Sequence, residues 1–553
     1  MSGILFVVSA AYLFPQQVQA KNVSLCDIKD VLPLRRGQHS PDNMHDSNCI
    51  LHYSAAAGAF LISFYVIPYL LDPYDYRRRF PGPWSAVLSN SWKSSAVKTG
   101  KACNTMFEIH QKYGPFVRIG PNHISIADPD ALEDIYKHGN GLLKSDYYAM
   151  FRLGTHESLF TSRDKAEHST KRRRLAHIFS PQNILSYQPR VRNNIRHLVD
   201  QLDMRCQQAA EGRSGFNWSA KDGVLYWISA HVKMSYLAFD LIGDLAMRSP
   251  LGMIQAQRDT TNVAKSLTDG AKTIQLPLIE LFDKGTQSVS SIGVYPRWAQ
   301  ASLLLLPWNL YGLLRTQDSS DDKEARGVDM ADKLLEARDE DGNLNSREEL
   351  LIETFGLLFA GSDTTSNTLS AFCFYLAKHP HLQAKLQAEL DEHIPLKYSH
   401  QDTESGSEID RWPRDDEAAL GPRTRTAESG TARQELHSRW TNVQSRQHHQ
   451  CTYVRYKRES VWGHDADEFR PERWLEDSKD VVRVDQLNLM YAHKACMGRN
   501  LAIMDILLIV ATIFRRYDLQ LGHPDAKPTI RDSVIRQVYD CPIAIKRRGM
   551  ATE

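Results

Sequence analysis

A long helix through residues 350–380 is the strongest structural signal in the sequence. The segment reads LLIETFGLLFAGSDTTSNTLSAFCFYLAKHP, and its apolar residues recur at three-to-four spacing. The same spacing runs through residues 190–205 and 223–247, with polar or Gly/Pro breaks between segments. A short strand pair is expected at residues 115–128, where apolar residues alternate around a Gly-Pro turn. These patterns predict a mainly α chain with little β-structure.

The middle of this helix carries polar residues that an ordinary core helix does not need. Gly361 is followed by Ser362-Asp363-Thr364-Thr365 within an otherwise apolar surface. A threonine hydroxyl that bonds back to the carbonyl four residues earlier, beside a glycine, can open a local groove. O₂ and a water could sit in that groove above a metal, and Asp363 and Thr364 would pass a proton to the distal oxygen. A solvent-facing helix segment is the alternative interpretation.

Cys496 stands in a different context from the other cysteines. The eight cysteines are scattered, with no CxxC pair and no metal-finger spacing, so a zinc ribbon has no support. Cys496 comes just before an apolar helix that starts near Gly498, where unpaired N–H groups and the helix dipole favour a thiolate. Gly498 lets the backbone approach a flat ligand, and Lys494 can pair with a carboxylate of a bound group. Taken alone, a cysteine in this position is more often a buried, unreactive side chain packed at a helix start.

Several segments together resemble the microsomal cytochromes P-450 of eukaryotes. They are AGSDTT at 360–365, FRPERW at 469–474, the proline hinge FPGPW at 80–84 and the segment around Cys496. Residues 113–148, 237–246 and 496–521 are similar to the fungal benzoate 4-monooxygenase (benzoate para-hydroxylase) group. The resemblance implies the cytochrome P-450 fold, a large helical domain with small β-sheets around a buried haem b.

The resemblance also implies roles for individual residues. Cys496 matches the proximal ligand of the haem iron, and Asp363 and Thr364 match the acid–alcohol pair. His168 and Arg172 fall where the family's C-helix provides partners for the haem propionates. Lys494 stands where the family has arginine, so the charge is kept, but lysine cannot make a bidentate bond to a propionate.

Residues 396–450 depart from the family. The K-helix belongs there, with a Glu-x-x-Arg pair that binds the arginine of FRPERW, here Arg473. The segment is instead polar, with too few apolar residues to bury a helix against a core. Glu408 and Arg411 fit the pattern formally, but no apolar face surrounds them. We interpret the segment as a shifted reading frame, a retained intron or decay of the gene.

The first 71 residues predict an extension followed by a membrane anchor. Residues 50–71 are uncharged and mostly apolar, and a helix of this length, about 33 Å, crosses a bilayer core of about 30 Å. Three arginines at 77–79 place the domain that follows, residues 77–553, in the cytoplasm. Residues 1–49 are interpreted as a signal-like extension or a mispredicted first exon. A buried core helix is the alternative for residues 50–71.

Charge and motifs narrow the class of partner. The formal net charge of +1 gives no sign of a nucleic-acid-binding surface. No GxGxxG loop follows a strand, so electrons must come from another protein. The resemblance implies an endoplasmic-reticulum monooxygenase with a single membrane pass, supplied from NADPH by NADPH–cytochrome reductase. It would hydroxylate a small aromatic or apolar molecule, and this molecule could be an intermediate of secondary-metabolite biosynthesis. The alternative is a non-catalytic membrane haem- or ligand-binding protein without a working K-helix.

Overall fold

The fold is described by a computed structural model of the chain. The residues that it describes are 79–128, 131, 143–152, 156–247, 250–264, 273–295, 330, 344, 346–393, 465, 468–474 and 496–549, together with 52–56, 58–60, 62, 63 and 67.

The first elements are three short helices and a hairpin. Helices α1 (Ser85–Leu88), α2 (Ser91–Lys98) and α3 (Ala102–Tyr113) are followed by strands β1 (Phe116–Gly120) and β2 (His123–Ile126). The two strands pair antiparallel, with Val117 opposite Ser125, which confirms the strand pair expected at residues 115–128.

The remaining elements follow in chain order. The helices are α4 (Lys165–Ala176), α5 (Pro181–Ala210), α6 (Ala230–Met247), α7 (Met253–Ala256), α8 (Leu278–Ile292), α9 (Arg347–Lys378), α10 (Pro380–His393) and α11 (Arg499–Arg516). The strands are β3 (Trp218–Lys221), β4 (Val224–Trp227), β5 (Thr261–Ala264), β6 (Thr273–Leu276), β7 (Tyr517–Leu521), β8 (Thr529–Asp532), β9 (Arg536–Asp540) and β10 (Ile543–Arg547). Short 3₁₀ turns span Asp146–Phe151 and Pro471–Trp474. The described residues confirm a mainly α fold with small sheets.

Helix α9 is the long helix that the sequence predicts at 350–380. Its start is fixed by a capping box, because the Ser346 hydroxyl accepts from the Glu349 amide and the Glu349 carboxylate accepts from the Ser346 amide. It ends at Lys378, ahead of Pro380. The helix is continuous through AGSDTT, so the polar residues there do not break the backbone.

The segment 223–247 is helical only from Ala230 onward. Its first residues form β4, so the prediction of helix there was wrong. In β4, Leu225 pairs with Ile545 and Trp227 with Ile543 of β10, more than three hundred residues further along the chain. Apolar spacing cannot reveal that pairing, because a short apolar run fits a strand or a helix equally well.

The core forms where α5, α6, α9 and α11 pack together. Tyr187, Leu237, Phe372 and Phe514 are among its buried side chains. A four-stranded antiparallel sheet in the order β3-β4-β10-β7 borders this core and joins the middle of the chain to its C-terminal end. Strands β5-β6 and β8-β9 form two further hairpins.

Some predictions fall outside the described residues. They are the extension 1–49, the polar segment 396–450, Lys494 and the side chain of Arg473. Among the described residues, no helix is both long and apolar enough to cross a bilayer. The described residues of the predicted anchor, between 52 and 67, are helical.

Candidate active site

Helix α4 carries four consecutive basic residues, 171–174, and the first of them lies against α9. Its N-terminus is capped by Asp164, whose carboxylate accepts from the Glu167 amide at 2.8 Å. Lys171 is buried, and its Nζ lies 3.6 Å from a Glu349 carboxylate oxygen and 3.8 Å from one of Glu353. Lys171 therefore holds α4 to α9.

His168 and Arg172 lie one helical turn apart on α4. A spacing of four residues puts both side chains on the same face of the helix, and both residues are half-buried. The positive charge of Arg172 reaches the sulfur of Cys496, where it lowers the pKa of the thiol. The structure thus brings the charge of Arg172 within reach of Cys496, although 324 positions separate the two residues along the chain.

Cys496 lies just before α11. The Gly498 amide donates to its sulfur, and Arg499 at the start of α11 adds a second positive charge. Loss of hydration around the sulfur nevertheless raises the pKa of the thiol above its ordinary value. This effect outweighs the hydrogen bond from Gly498 and the charges of Arg172 and Arg499, which lower the pKa. In the haem-free chain, the Gly498 amide and the two arginines therefore offset only part of the effect of lost hydration. A coordinating metal would deprotonate the thiol outright.

The other cysteines of the described part are poorer ligands. Cys373 and Cys541 are buried, and burial raises the pKa of Cys373 to about 12. Cys103 is disulfide-bonded. Burial raises the pKa of the half-buried Cys206 to about 11, and the charge of Asp203 adds to that effect. Cys496 is the exposed free thiol among them.

The protein groups around Gly498 do not require a glycine at this position. Its φ is −76°, which any residue can adopt. A Cβ there would lie 3.7 Å from Cε1 of Phe179 and 3.8 Å from the Cys496 sulfur, which are ordinary contacts. The expectation that this glycine makes room for a flat ligand stays a prediction.

Thr364 makes the backbone contact that the sequence predicts. Its hydroxyl donates to the Ala360 carbonyl at 2.8 Å, one turn earlier. Ala360 is exposed in the middle of the helix, and the half-buried Thr364 lies on the same face. Small side chains and a hydroxyl thus border an accessible stretch of α9.

The carboxylate of Asp363 contacts strand β9. Both of its carboxylate oxygens accept from Nε2 of Gln537 in β9, at 3.0 Å each. Burial and the nearby charge of Asp283 raise its pKa to about 7, although the bond from Gln537 lowers it. A carboxyl with this pKa can hold or release a proton near neutral pH.

Gly361 serves helix packing. A Cβ on it would lie 2.8 Å from Cδ1 of Ile242, so the glycine lets α9 lie close to α6. The sequence-based interpretation connected this glycine only with a groove, whereas the structure shows a contact between two helices.

The FRPERW segment packs on the end of α9. The ring of Phe469 stacks on Tyr375, with centroids 4.6 Å apart, and lies 5.6 Å from His379. Glu472 pairs with Lys385 of α10 at 3.4 Å.

Three residues at this site were missed by sequence reasoning: Lys171, Glu353 and Gln537. Glu353 accepts a hydrogen bond from the Leu159 amide at 2.9 Å. Burial raises its pKa to about 7, against the charge of Lys171 and that bond, which lower it. Lys171 and Glu353 lie inside motif-bearing segments, yet nothing in the sequence around Gln537 marks it.

The residues present fit a haem. Cys496 offers one sulfur ligand for an iron, and the cation of Arg172 within electrostatic reach of that sulfur is the kind of group that binds a propionate. His168 lies on the same face of α4. The fit rests on these donors and on the accessible stretch of α9.

Comparisons with known proteins identify the family of this chain. The family profile "Cytochrome P450" matches residues 79–405 and 450–539 of the chain. Benzoate 4-monooxygenase bphA of Aspergillus niger is 30% identical over 528 residues, which cover 90% of this chain and 98% of that protein. Cytochrome P-450 monooxygenase gsfF of Penicillium aethiopicum is 26% identical over 90% of this chain and 98% of its own length. Pisatin demethylase of Fusarium vanettenii is 25% identical over 81% and 86%.

The family match spans the three elements that build the site. It includes α4 and α9, and its second part includes Cys496 and α11, while residues 406–449 lie outside it. The family match over most of the chain and the similarity to benzoate 4-monooxygenase, taken with the site, lead to one conclusion: this chain belongs to the cytochrome P-450 family of monooxygenases.

Proposed function

We propose that this chain hydroxylates a small aromatic or apolar molecule, using O₂ and electrons that NADPH supplies through a separate reductase. The observation that carries the proposal is the exposed Cys496 thiol beside Arg172 and Arg499 at the start of α11. A haem bound through this sulfur would supply the iron that activates O₂.

The chain's own residues have distinct tasks in that reaction. Cys496 would hold the iron, and Arg172 and His168 would bind the carboxylates of the haem and orient it. The Thr364 hydroxyl lies beside the accessible Ala360, and Asp363 holds a proton one residue away. Together they can deliver a proton where oxygen is reduced.

A carbon monoxide spectrum tests the haem site. The full chain is expressed with haem, reduced and treated with carbon monoxide, which gives a long-wavelength Soret band when the ligand is a thiolate. We expect Cys496→Ser to abolish that band and Cys206→Ser, a matched change at a half-buried thiol, to keep it. A Cys496→Ser protein that kept the band would refute the proposal.

The substrate class rests on the relatives. A relative at 30% identity is named benzoate 4-monooxygenase, and others are named pisatin demethylase and cytochrome P-450 monooxygenase gsfF. We propose an aromatic substrate, benzoate-like or a fungal secondary metabolite. Titration of the oxidised holoenzyme with benzoates and with apolar terpenoids, read by the shift of the Soret band, separates these classes. A response to terpenoids alone would refute the aromatic assignment.

Attachment to the endoplasmic reticulum membrane is proposed from the segment before residue 79. Its described residues are helical, and Tyr53, Phe60, Ile62 and Ile67 expose between 51% and 77% of their surface. Exposed aromatic and aliphatic side chains within one short segment favour a lipid environment. The full chain should stay with the membrane fraction in carbonate, and a chain without residues 1–71 should be released.

NADPH–cytochrome reductase is the proposed electron donor. Arg173 and Arg499 are exposed in the two elements that border Cys496, so a positive surface is available to an acidic partner. Electron transfer to the holoenzyme should then slow as ionic strength rises. A rate that is independent of salt would count against this docking surface.

A non-catalytic haem- or ligand-binding protein is the second candidate. The observation that favours it is the break in the family match at residues 406–449, within the polar segment 396–450. A holoenzyme that binds haem through Cys496, accepts electrons and yet forms no product or peroxide would support this candidate. Turnover of any substrate would exclude it.

A further inference from the structure

Gln537 joins two carboxylates from different helices. Its Nε2 lies 3.0 Å from both oxygens of Asp363 on α9 and 2.9 Å from Oδ1 of Asp283 on α8. One amide group has two hydrogens to donate, so it can serve one acid with each. Gln537 is 1% exposed, which shields these contacts from competing water.

The position of Gln537 is fixed by its backbone neighbours. The adjacent Val538 amide donates to Oδ1 of Asn367 at 2.8 Å, one turn after Asp363 on α9. Nδ2 of Asn367 donates in turn to the Asp363 carbonyl at 2.8 Å. On the other side, Arg531 of β8 pairs in register with Gln537. Strand β9 is therefore tied to the part of α9 that carries Asp363.

Asp363 and Asp283, the two acids that Gln537 joins, are surrounded by different charges. Asp283 is the titratable group whose charge acts on Asp363, and it raises the pKa of that carboxyl. Burial raises the pKa of Asp283, the bond from Gln537 and the charge of Arg531 lower it, and Asp259 and Glu280 raise it. Two carboxylates on one donor group titrate as a coupled pair.

We propose that Gln537 is a positioning residue that holds the Asp363 carboxylate in place, and that Asp283 sets when Asp363 carries its proton. If the chain is a monooxygenase, as proposed above, α8 and β9 control the supply of protons to the part of α9 that carries Thr364. This consequence rests on the proposed function. The arrangement of the three side chains stands without that consequence. Asp283 acts on Asp363 through charge, so no new bond or redox step is involved.

Asp283 raises the pKa of Asp363 and Gln537 lowers it, so removing each partner should shift this pKa in the opposite direction. Asp283→Asn removes a negative charge, so the pKa of Asp363 should fall. Gln537→Ala removes a hydrogen bond to the ionised form, so the pKa of Asp363 should rise. A merely structural role would not predict opposite shifts from two neighbouring changes.

The first measurement follows the carboxyl itself. Infrared titration of the full-length protein reports the band of a protonated carboxyl, and subtraction of Asp363→Asn assigns it to Asp363. We expect the midpoint at a lower pH in Asp283→Asn and at a higher pH in Gln537→Ala. Asp540→Asn, an exposed aspartate on the same strand, is the matched control and should leave the midpoint unchanged. Shifts in the same direction, or none, would overturn the proposal.

The second measurement follows turnover of the holoenzyme with pH. The high-pH limb of turnover, and the product formed per NADPH, should move with the infrared midpoint in both variants. Infrared shifts in the expected directions with an unmoved pH profile would overturn the role in proton supply. Loss of the thiolate spectrum in Cys496→Ser tests the proposed function separately. If Cys496→Ser kept the thiolate spectrum while the infrared shifts were as expected, the proposed function would fail, but the assignment of Gln537 and Asp283 would stand.

Discussion

At the scale of single residues, two carboxyls of α9 have an unusual chemistry. The pKa values of Glu353 and Asp363 are both raised to about 7, chiefly because burial removes hydration from the charged form. Both acids therefore change charge in the range where an enzyme works, and their ionisation is linked to folding.

Glu353 makes the stability of the chain depend on pH. Because its pKa is higher in the folded state than the ordinary value of 4.5, its contribution is complete at low pH and is lost as pH rises through about 7. Glu353→Gln keeps an oxygen to accept from the Leu159 amide but carries no charge. We expect this variant to gain stability over the natural chain, by about 2 kcal/mol, as pH rises from about 5 to about 8. Urea unfolding at both pH values measures the difference, and a difference independent of pH would contradict the assignment.

We predict that Arg172 lowers the pKa of the Cys496 thiol and also binds a propionate of the haem. Removing its charge in Arg172→Ala should raise the pKa of Cys496 in the haem-free protein, which alkylation rates measured against pH report. Haem retention should fall about tenfold, the loss expected for one charge-assisted hydrogen bond. Arg173→Ala, the exposed neighbour, is the control. Equal effects of the two changes would show that Arg172 has no special position.

At the scale of elements, the contact between α6 and α9 depends on one missing side chain. Gly361 leaves no room for a Cβ beside Ile242, which is itself 6% exposed. Close packing of this kind makes two helices behave as one unit, so small changes in volume are felt in the whole core.

Adding a methyl group at this contact should therefore destabilise the chain. We expect Gly361→Ala to cost about 1–2 kcal/mol, since overpacking outweighs the better helix propensity of alanine. Gly356→Ala on the same helix, where a Cβ would meet nothing within 4 Å, should instead stabilise by up to about 1 kcal/mol. In an Ile242→Ala background the cost of Gly361→Ala should disappear. A cost that persists there would place the strain elsewhere.

At the scale of the whole molecule, the sheet β3-β4-β10-β7 joins distant parts of the chain. Strand β10 lies between β4 and β7, with Ile543 opposite both Trp227 and Leu521. After β10, Arg548 pairs with Asp391 of α10 at 2.8 Å. The last strand thus completes a sheet that begins more than three hundred residues earlier.

Removal of this strand should disrupt cooperative folding. Deletion of residues 543–553 exposes the edges of β4 and β7 and removes the buried Ile543, Ala544 and Ile545. We expect loss of the single unfolding transition and aggregation, whereas deletion of residues 550–553 should leave the transition unchanged. Thermal unfolding followed by circular dichroism compares the two. An intact transition without β10 would show that the sheet is not needed for the core.

The sequence by itself determined the local features of this protein. Three-to-four spacing gave α9 nearly to its ends, and Cys496, Thr364 and the combined motifs pointed to the cytochrome P-450 family, because these signals lie within short stretches of chain. Tertiary structure alone decided which side chains meet. Arg172 reaches Cys496, Gln537 binds Asp363 across 174 positions, and Gly361 faces Ile242. Helical periodicity fixes the face on which a residue lies, whereas the partner opposite that face depends on how distant elements pack.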